Sequence, residues 1–169
     1  MAQRELFREE ASLPNGMVLA PDFVDEAEEA ALIEGIRGPA LAEAQYKQYT
    51  AKRRVASFGA PLRARLAKWI GIPEEDFGYA LVSEYRPGTQ LGWHRDVPHF
   101  EIVAGVSLAG SATMRFRRFP PRKGSPVLTL ELEPRSAYVL RNEPRWGWQH
   151  AIAPTPALRY SITFRTRRA

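Results

Sequence analysis

At Pro73 the chain changes character, and that change limits what it can fold into. Downstream, short runs rich in β-branched and aromatic residues are separated by Pro and Gly, the pattern of strands joined by tight turns. The runs are Tyr79–Tyr85, Leu91–Trp93, Ile102–Leu108, Thr113–Phe119, Val127–Leu132, Ala137–Leu140 and Tyr160–Thr166. About seven strands with no helix between them predict an antiparallel sandwich or barrel and argue against a parallel α/β sheet. Upstream, the apolar spacing is helical. Asp25 reads as an N-cap with Glu28 as its capping-box partner, opening a helix over Glu26–Gly35 that Pro39 stops. A second helix is predicted over Ala60–Ile70, with Leu62, Leu66 and Trp69 on one side and Gly71 as its C-cap. A chain of 169 residues fits one domain with its own core. The expected architecture is mainly β with N-terminal helices, a jelly roll. It forms a single domain over residues 1–169, with the helical N-terminal part to about residue 72 and the β core over 73–169.

The chain has no Cys, so disulfides, thiolate metal sites and a Cys nucleophile are excluded. Any metal must be held by carboxylates and by the three histidines, His94, His99 and His150. Met1–Leu13 is charged and unlike a signal peptide, and no apolar run approaches the roughly 20 residues of a membrane span. The expectation is a cytoplasmic chain with no membrane and no obligate protein partner. The 24 basic and 19 acidic residues are unevenly placed. Residues 46–68 hold Lys47, Lys52, Arg53, Arg54, Arg63, Arg65 and Lys68 with no acid, interleaved with Tyr46, Tyr49 and Phe58. Arg115, Arg117, Arg118, Arg122 and Lys123 form a second cluster. Cations beside aromatic faces suit phosphates and unstacked bases, and a solvated Arg-rich face is the plainer reading.

His94-Arg95-Asp96 places an imidazole and a carboxylate at i and i+2, on the same side of an extended segment. Two His and one carboxylate with open positions form the facial triad of non-haem Fe(II) oxygenases, whereas a structural zinc site is closed by four protein ligands. Spacing leaves both His150 and His99 open as the third ligand. In the tail, a strand places Arg159, Ser161, Thr163 and Arg165 on one face and Tyr160, Ile162 and Phe164 on the other. The two Arg lie about 20 Å apart along such a strand, and a guanidinium grips a carboxylate in bidentate fashion. An edge strand with solvated Arg is the alternative.

The ordered set His94-x-Asp96, His150 and Arg159-x5-Arg165 resembles the AlkB-type Fe(II)/2-oxoglutarate dioxygenases. Ser83-Glu84-Tyr85-Arg86-Pro87-Gly88 before the His–Asp pair and Val106-Ser107-Leu108 after it extend the resemblance, and residues 52–59 resemble the family's substrate-side region. The resemblance implies a double-stranded β-helix, a jelly roll, and Fe(II), 2-oxoglutarate and O2 as cofactors. It implies that His94, Asp96 and His150 bind the iron. Arg159, helped by the Tyr85 hydroxyl, would take the distal carboxylate of 2-oxoglutarate, with Arg165 at the other end. Ser83 and Ser161 stand where family members often carry Asn, so two hydrogen bonds come from shorter side chains. Tyr46, Tyr49, Lys52, Arg53, Arg54, Phe58 and Trp93 are the candidate substrate contacts.

The implied reaction oxidises an N-methyl group on a base in DNA or RNA, releasing formaldehyde, succinate and CO2, with alkylated nucleic acid as the partner. A base in a duplex must be flipped out to react. Repair members of the family carry an acid two positions after the metal Asp, where it reads the base. Pro98 stands there and offers no acceptor. The same chemistry on a protein or small molecule is the alternative. A non-catalytic jelly roll whose Arg pair holds an anion is a third reading, against which the His–Asp–His set argues.

Overall fold

The computed structural model describes residues 13–38, 42–46, 49–53 and 58–169. Eleven strands appear among them: β1 Val18–Ala20, β2 Ala42–Tyr46, β3 Tyr49–Arg53, β4 Leu81–Tyr85, β5 Leu91–His94, β6 Phe100–Leu108, β7 Ala112–Arg118, β8 Leu128–Leu132, β9 Ala137–Leu140, β10 Trp148–Ile152 and β11 Arg159–Arg167. The helices are α1 Glu26–Arg37, α2 Ala60–Ile70 and the single turn α3 Glu143–Trp146, with a 3-10 turn at Glu74–Asp76.

The strands form two antiparallel sheets. One has seven strands in the order β1-β9-β6-β11-β4-β3-β2, the other four in the order β5-β10-β7-β8. From β4 to β11 the chain passes back and forth between the sheets, with only β7 and β8 consecutive in one of them, in the manner of a jelly roll, as the strand count predicts. The surplus over that count lies in β1, β2, β3 and β10. Ala42–Tyr46 and Tyr49–Arg53 lack the β-branched density that marks a strand, and they exist because β3 pairs with β4. The N-terminal part is therefore not only helical.

Asp25 caps α1 by accepting from the Glu28 amide at 2.8 Å. The capping box is not reciprocal, because the Glu28 carboxylate pairs with Arg65 of α2 at 2.8 Å. The α2 helix runs over the predicted residues and ends at Gly71, whose φ of 75° is the left-handed cap that glycine supplies without strain.

β11 is flanked by β4 and β6, so it is a central strand and not an edge. Its apolar face, Tyr160, Ile162 and Phe164, packs with Val82, Val106 and the helical residues Ile36, Leu62 and Leu66. Its polar face turns into the roll. Between the sheets, Met114, Phe116, Leu132, Leu140 and Ile152 form a second apolar cluster at one end of that interior. No helix among the described residues is long and apolar enough to cross a membrane.

Gly105 of β6 pairs with Tyr138 of β9. A Cβ on Gly105 would stand 2.6 Å from the Tyr138 ring, which is itself buried. Gly105→Ala is expected to lower the unfolding free energy by about 1–3 kcal/mol in a urea titration. Gly92→Ala, where nothing lies within 4 Å of the added carbon, should change it by less than about 0.5 kcal/mol.

Candidate metal centre and its cavity

Adjacent strands of the small sheet bring the two histidines together. His94 on β5 is the register partner of His150 on β10, and their ring centroids lie 4.2 Å apart. Between this pair and Leu91–Ile152, β5 advances three residues against two on β10, a bulge. It lets Leu91 and His94, three apart in sequence, both line the interior. Asp96 follows in the loop after β5. Its Oδ1 is 3.8 Å from His94 Nε2 and 3.9 Å from His150 Nε2. The three donor atoms lie within 4.8 Å of one another. His99 is not in this group and instead contacts the Phe100 ring.

The protonation states suit a cation. His94 Nδ1 is 2.8 Å from the Gly92 carbonyl, which places the ring proton there and leaves Nε2 as an electron-pair donor. Burial, reinforced by the neighbouring His94, pushes His150 down to about 3, so it is neutral across the ordinary pH range. Burial opposes ionisation of Asp96, but the charge and hydrogen bond of the Arg165 guanidinium outweigh it and hold the carboxyl below its usual range. Arg165 Nε donates to Asp96 Oδ2 at 2.5 Å, and Arg165 Nη1 donates to Thr163 Oγ1 at 2.8 Å.

A cavity of about 1350 Å³ opens from the triad along the polar face of β11. Ser83 on β4 and Ser107 on β6 flank Ser161 in one rung. One rung further, Tyr85 pairs with Arg159. The Arg159 side chain is fully buried. Its guanidinium carbon is 4.8 Å from the Tyr85 ring centroid and its Nε donates to Ser107 Oγ at 2.8 Å. Its Nη1 is buried without a partner, a donor that a ligand carboxylate would satisfy. Burial pushes the phenols of Tyr85 and Tyr138 up, Tyr138 to about 12, so both stay protonated.

The residues present therefore fit both an ion and a dicarboxylate. The two imidazoles and one carboxylate leave coordination positions facing the cavity, and an orphaned guanidinium donor stands further in.

The predicted substrate contacts fall elsewhere. Trp93 does not line the cavity but meets Arg115 and Arg117. Phe58 packs on the core beside Gly35 of α1. Tyr46 is on β2, and Tyr49, Lys52 and Arg53 are on β3, the strand bonded to β4. Arg54 lies outside the described residues.

Ser107, Tyr138, Thr163 and Arg145 were not singled out by sequence as site residues. The isolated Gly105 within a strand is the available signal for Tyr138, since glycine there marks a close approach. Nothing in Glu143-Pro144-Arg145-Trp146 marks Arg145. Yet its buried guanidinium donates to the carbonyls of Asp96 at 3.1 Å, Val97 at 2.9 Å and Phe100 at 2.8 Å. It clamps the loop carrying Asp96 to the segment leading into His150.

With this geometry, the comparisons with known proteins are direct. Residues 45–165 match the model of the 2OG-Fe(II) oxygenase superfamily, and the chain belongs to that superfamily. The class is that of Fe(II)/2-oxoglutarate-dependent dioxygenases, which brings Fe(II), 2-oxoglutarate and O2 as cofactors. Within it, the chain is 30% identical over 187 residues to the "Alkylated DNA repair protein ALKBH8 homolog" of Arabidopsis thaliana, covering 87% of this chain and 53% of that protein. It is 30% identical over 101 residues to the "Uncharacterized protein L905" of Acanthamoeba polyphaga mimivirus, covering 50% of this chain and 46% of that protein. The chain thus spans about half the length of these relatives. Among solved structures, OsALKBH1 has a TM-score of 0.75 at 14% identity, covering 92% of this chain and 100% of that one. A Pseudomonas putida prolyl-4-hydroxylase has a TM-score of 0.65 at 14% identity, covering 91% and 93%. These two establish the shared jelly-roll fold.

Two outcomes follow. Arg145→Ala should speed amide hydrogen exchange over residues 96–100 and weaken Co(II) binding about tenfold or more. His150 takes a proton below about pH 6.5 in the unfolded chain but only near pH 3 in the folded one. Its contribution to the stability of the metal-free protein is therefore present above pH 6.5 and is lost as pH falls toward 3, at up to about 1.4 kcal/mol per pH unit. His150→Phe should flatten the urea midpoint between roughly pH 7 and pH 5.

Proposed function

We propose that the chain oxidatively demethylates N-alkylated bases in DNA or RNA, with His94, Asp96 and His150 holding Fe(II). The observation that carries this reading is the convergence of His94, Asp96 and His150 at the mouth of a cavity that holds the orphaned Nη1 of Arg159. The Arabidopsis relative described as an alkylated DNA repair protein and the basic, aromatic stretch around β3 support a nucleic-acid substrate.

When bound, the iron supplies the oxidising chemistry that couples decarboxylation of 2-oxoglutarate to hydroxylation of a substrate C–H bond. The chain's own residues position and insulate. Arg165 occupies Asp96 Oδ2 and so leaves Oδ1 turned toward the imidazoles. Arg159, fixed by Ser107 and the Tyr85 ring, takes the distal carboxylate of 2-oxoglutarate on its free Nη1. Ser83 and Ser161 offer hydroxyls along the same wall. The apolar cluster of Met114, Tyr138 and Ile152 excludes water from the reacting end. Per turnover, an N–CH3 group, O2 and 2-oxoglutarate become N–CH2OH, succinate and CO2. The N–CH2OH group then breaks its C–N bond, leaving N–H and formaldehyde. Tyr46, Tyr49, Lys52 and Arg53 serve as substrate contacts on the β2–β3 side, and Arg54, next in sequence, is the further candidate.

A second reading is the same chemistry on a protein or small molecule. It is favoured by Pro98, which is exposed and brings no acceptor where the repair enzymes carry an acid.

Formaldehyde release from a panel of N-methylated oligonucleotides, single- and double-stranded, tests the first reading. Asp96→Ala and His150→Ala should abolish both formaldehyde and succinate. Arg159→Ala should raise the KM for 2-oxoglutarate about 10- to 100-fold. No formaldehyde from any oligonucleotide, with succinate still formed from 2-oxoglutarate, would move the assignment to the second reading.

A further inference from the structure

The four-stranded sheet turns one face to the cavity and the other outward. On the outer face, register places Ala151 and Thr129 on either side of Arg115, and Gln149 beside Arg117. Trp93 of β5 reaches across to both cations, whose guanidinium carbons lie 5.2 Å and 4.5 Å from its ring centroid. The pattern continues toward the cavity. Arg118 lies over Trp148 at 4.8 Å. Arg95 lies over Phe119 at 3.5 Å, and Phe119 is 39% exposed. Arg122 and Lys123 are exposed just beyond. Arg95 itself lines the cavity, between His94 and Asp96.

Arg95, Arg115 and Arg117 are held by rings and amides rather than by acids. Arg117 Nε donates to Gln149, and Arg95 Nη1 donates to the Trp146 carbonyl. Arg115 Nε is buried without a partner, which leaves the outer end of that guanidinium to meet an anion. Among the described residues, Arg118 alone of the six has a carboxylate within 4 Å, that of Glu143. Guanidinium groups held in this way keep N–H donors for an incoming anion. Aromatic faces between fixed positive charges at sheet spacing match bases between phosphates. An acidic peptide would use the charges and leave the rings idle. Stacking on Trp93 and Phe119 needs bases that are not already stacked in a duplex, so the matching occupant is a single strand.

We propose that this outer face, from Arg115, Trp93 and Arg117 through Phe119 to Arg95 at the rim, is a track for the single-stranded nucleic acid flanking the base in the cavity. The proposal rests on the demethylase reading for its substrate and adds where the rest of that strand lies. The strand's phosphates pair with Arg115, Arg117 and Arg95, and its bases stack on Trp93 and Phe119.

The test is fluorescence anisotropy of the full chain with a short unmodified labelled oligothymidylate across a salt series. The Arg115→Gln/Arg117→Gln double variant should bind about tenfold more weakly and flatten the log–log salt slope by about 1.4, since a single strand gives about 0.7 per phosphate contact. Arg115→Lys/Arg117→Lys should restore the slope. Trp93→Ala should weaken binding about tenfold with the slope little changed, and Trp93→Phe should recover part of it. Parent-like affinity and slope in the Gln double variant would overturn the track. So would an equal loss of binding to a poly-glutamate peptide, which marks a general anion surface. The two readings fail separately. If the parent and the Gln double variant release formaldehyde from methylated oligonucleotides with the same KM, the track is wrong and the demethylase stands. If oligothymidylate binds through these residues but no methylated oligonucleotide yields formaldehyde, the demethylase is wrong and the track stands.

Discussion

Arg165 and Asp96 meet inside the roll at 2.5 Å, and the site is arranged around that pair. Removing one partner of such a buried pair costs about 3–5 kcal/mol, because the other charge is stranded away from water. The pair also does directional work. With one carboxylate oxygen taken by the guanidinium, the other faces two imidazoles that the β5–β10 register has already set side by side. Arg145 fixes the same loop from behind through its backbone carbonyls. One arginine therefore aims the carboxylate, and a second holds the backbone from which it projects.

The division of the large sheet into two unlike faces explains how the chain accommodates this charge. Its outer face is apolar and carries α1 and α2. Its inner face is a polar wall running from Arg159 past the serine rung to Arg165. Because β11 is central, both faces are shielded, and its alternating sequence sorts them by the two-residue period of a strand. The buried polar face is tolerated because most of its groups are paired, Arg159 through Nε with Ser107 and Arg165 with Asp96 and Thr163, leaving Arg159 Nη1 as the orphaned donor.

Much of this was legible in the sequence. The alternation in Arg159–Arg165 gives the two faces, and His94-x-Asp96 gives two members of the triad. The helix caps at Asp25 and Gly71 were readable because they are local. The third member of the cluster was not settled by spacing, because only the sheet order makes His150 the neighbour of His94. Its strand, Trp148–Ile152, also escaped the strand count, as its mixed residues show no alternation. Trp93 was read as a candidate substrate contact, and it lies away from the cavity, against Arg115 and Arg117 on the other side of the sheet. Arg145 left no local signal, since its partners are backbone carbonyls some 45 to 49 positions away.

The bulge in β5 sets how this site can change over time. Three residues of β5 are matched to two of β10 between Leu91–Ile152 and His94–His150. Substitution within that stretch alters a side chain and leaves the count intact. Loss or gain of a single residue reverses the side to which everything beyond it points, sending the imidazole of His94 outward and bringing an arginine or tryptophan in. The register of the segment thus survives a replacement but not a change of length. Variation in the length of this chain is left to turns such as 120–126, where none of the three clustered side chains depends on the register.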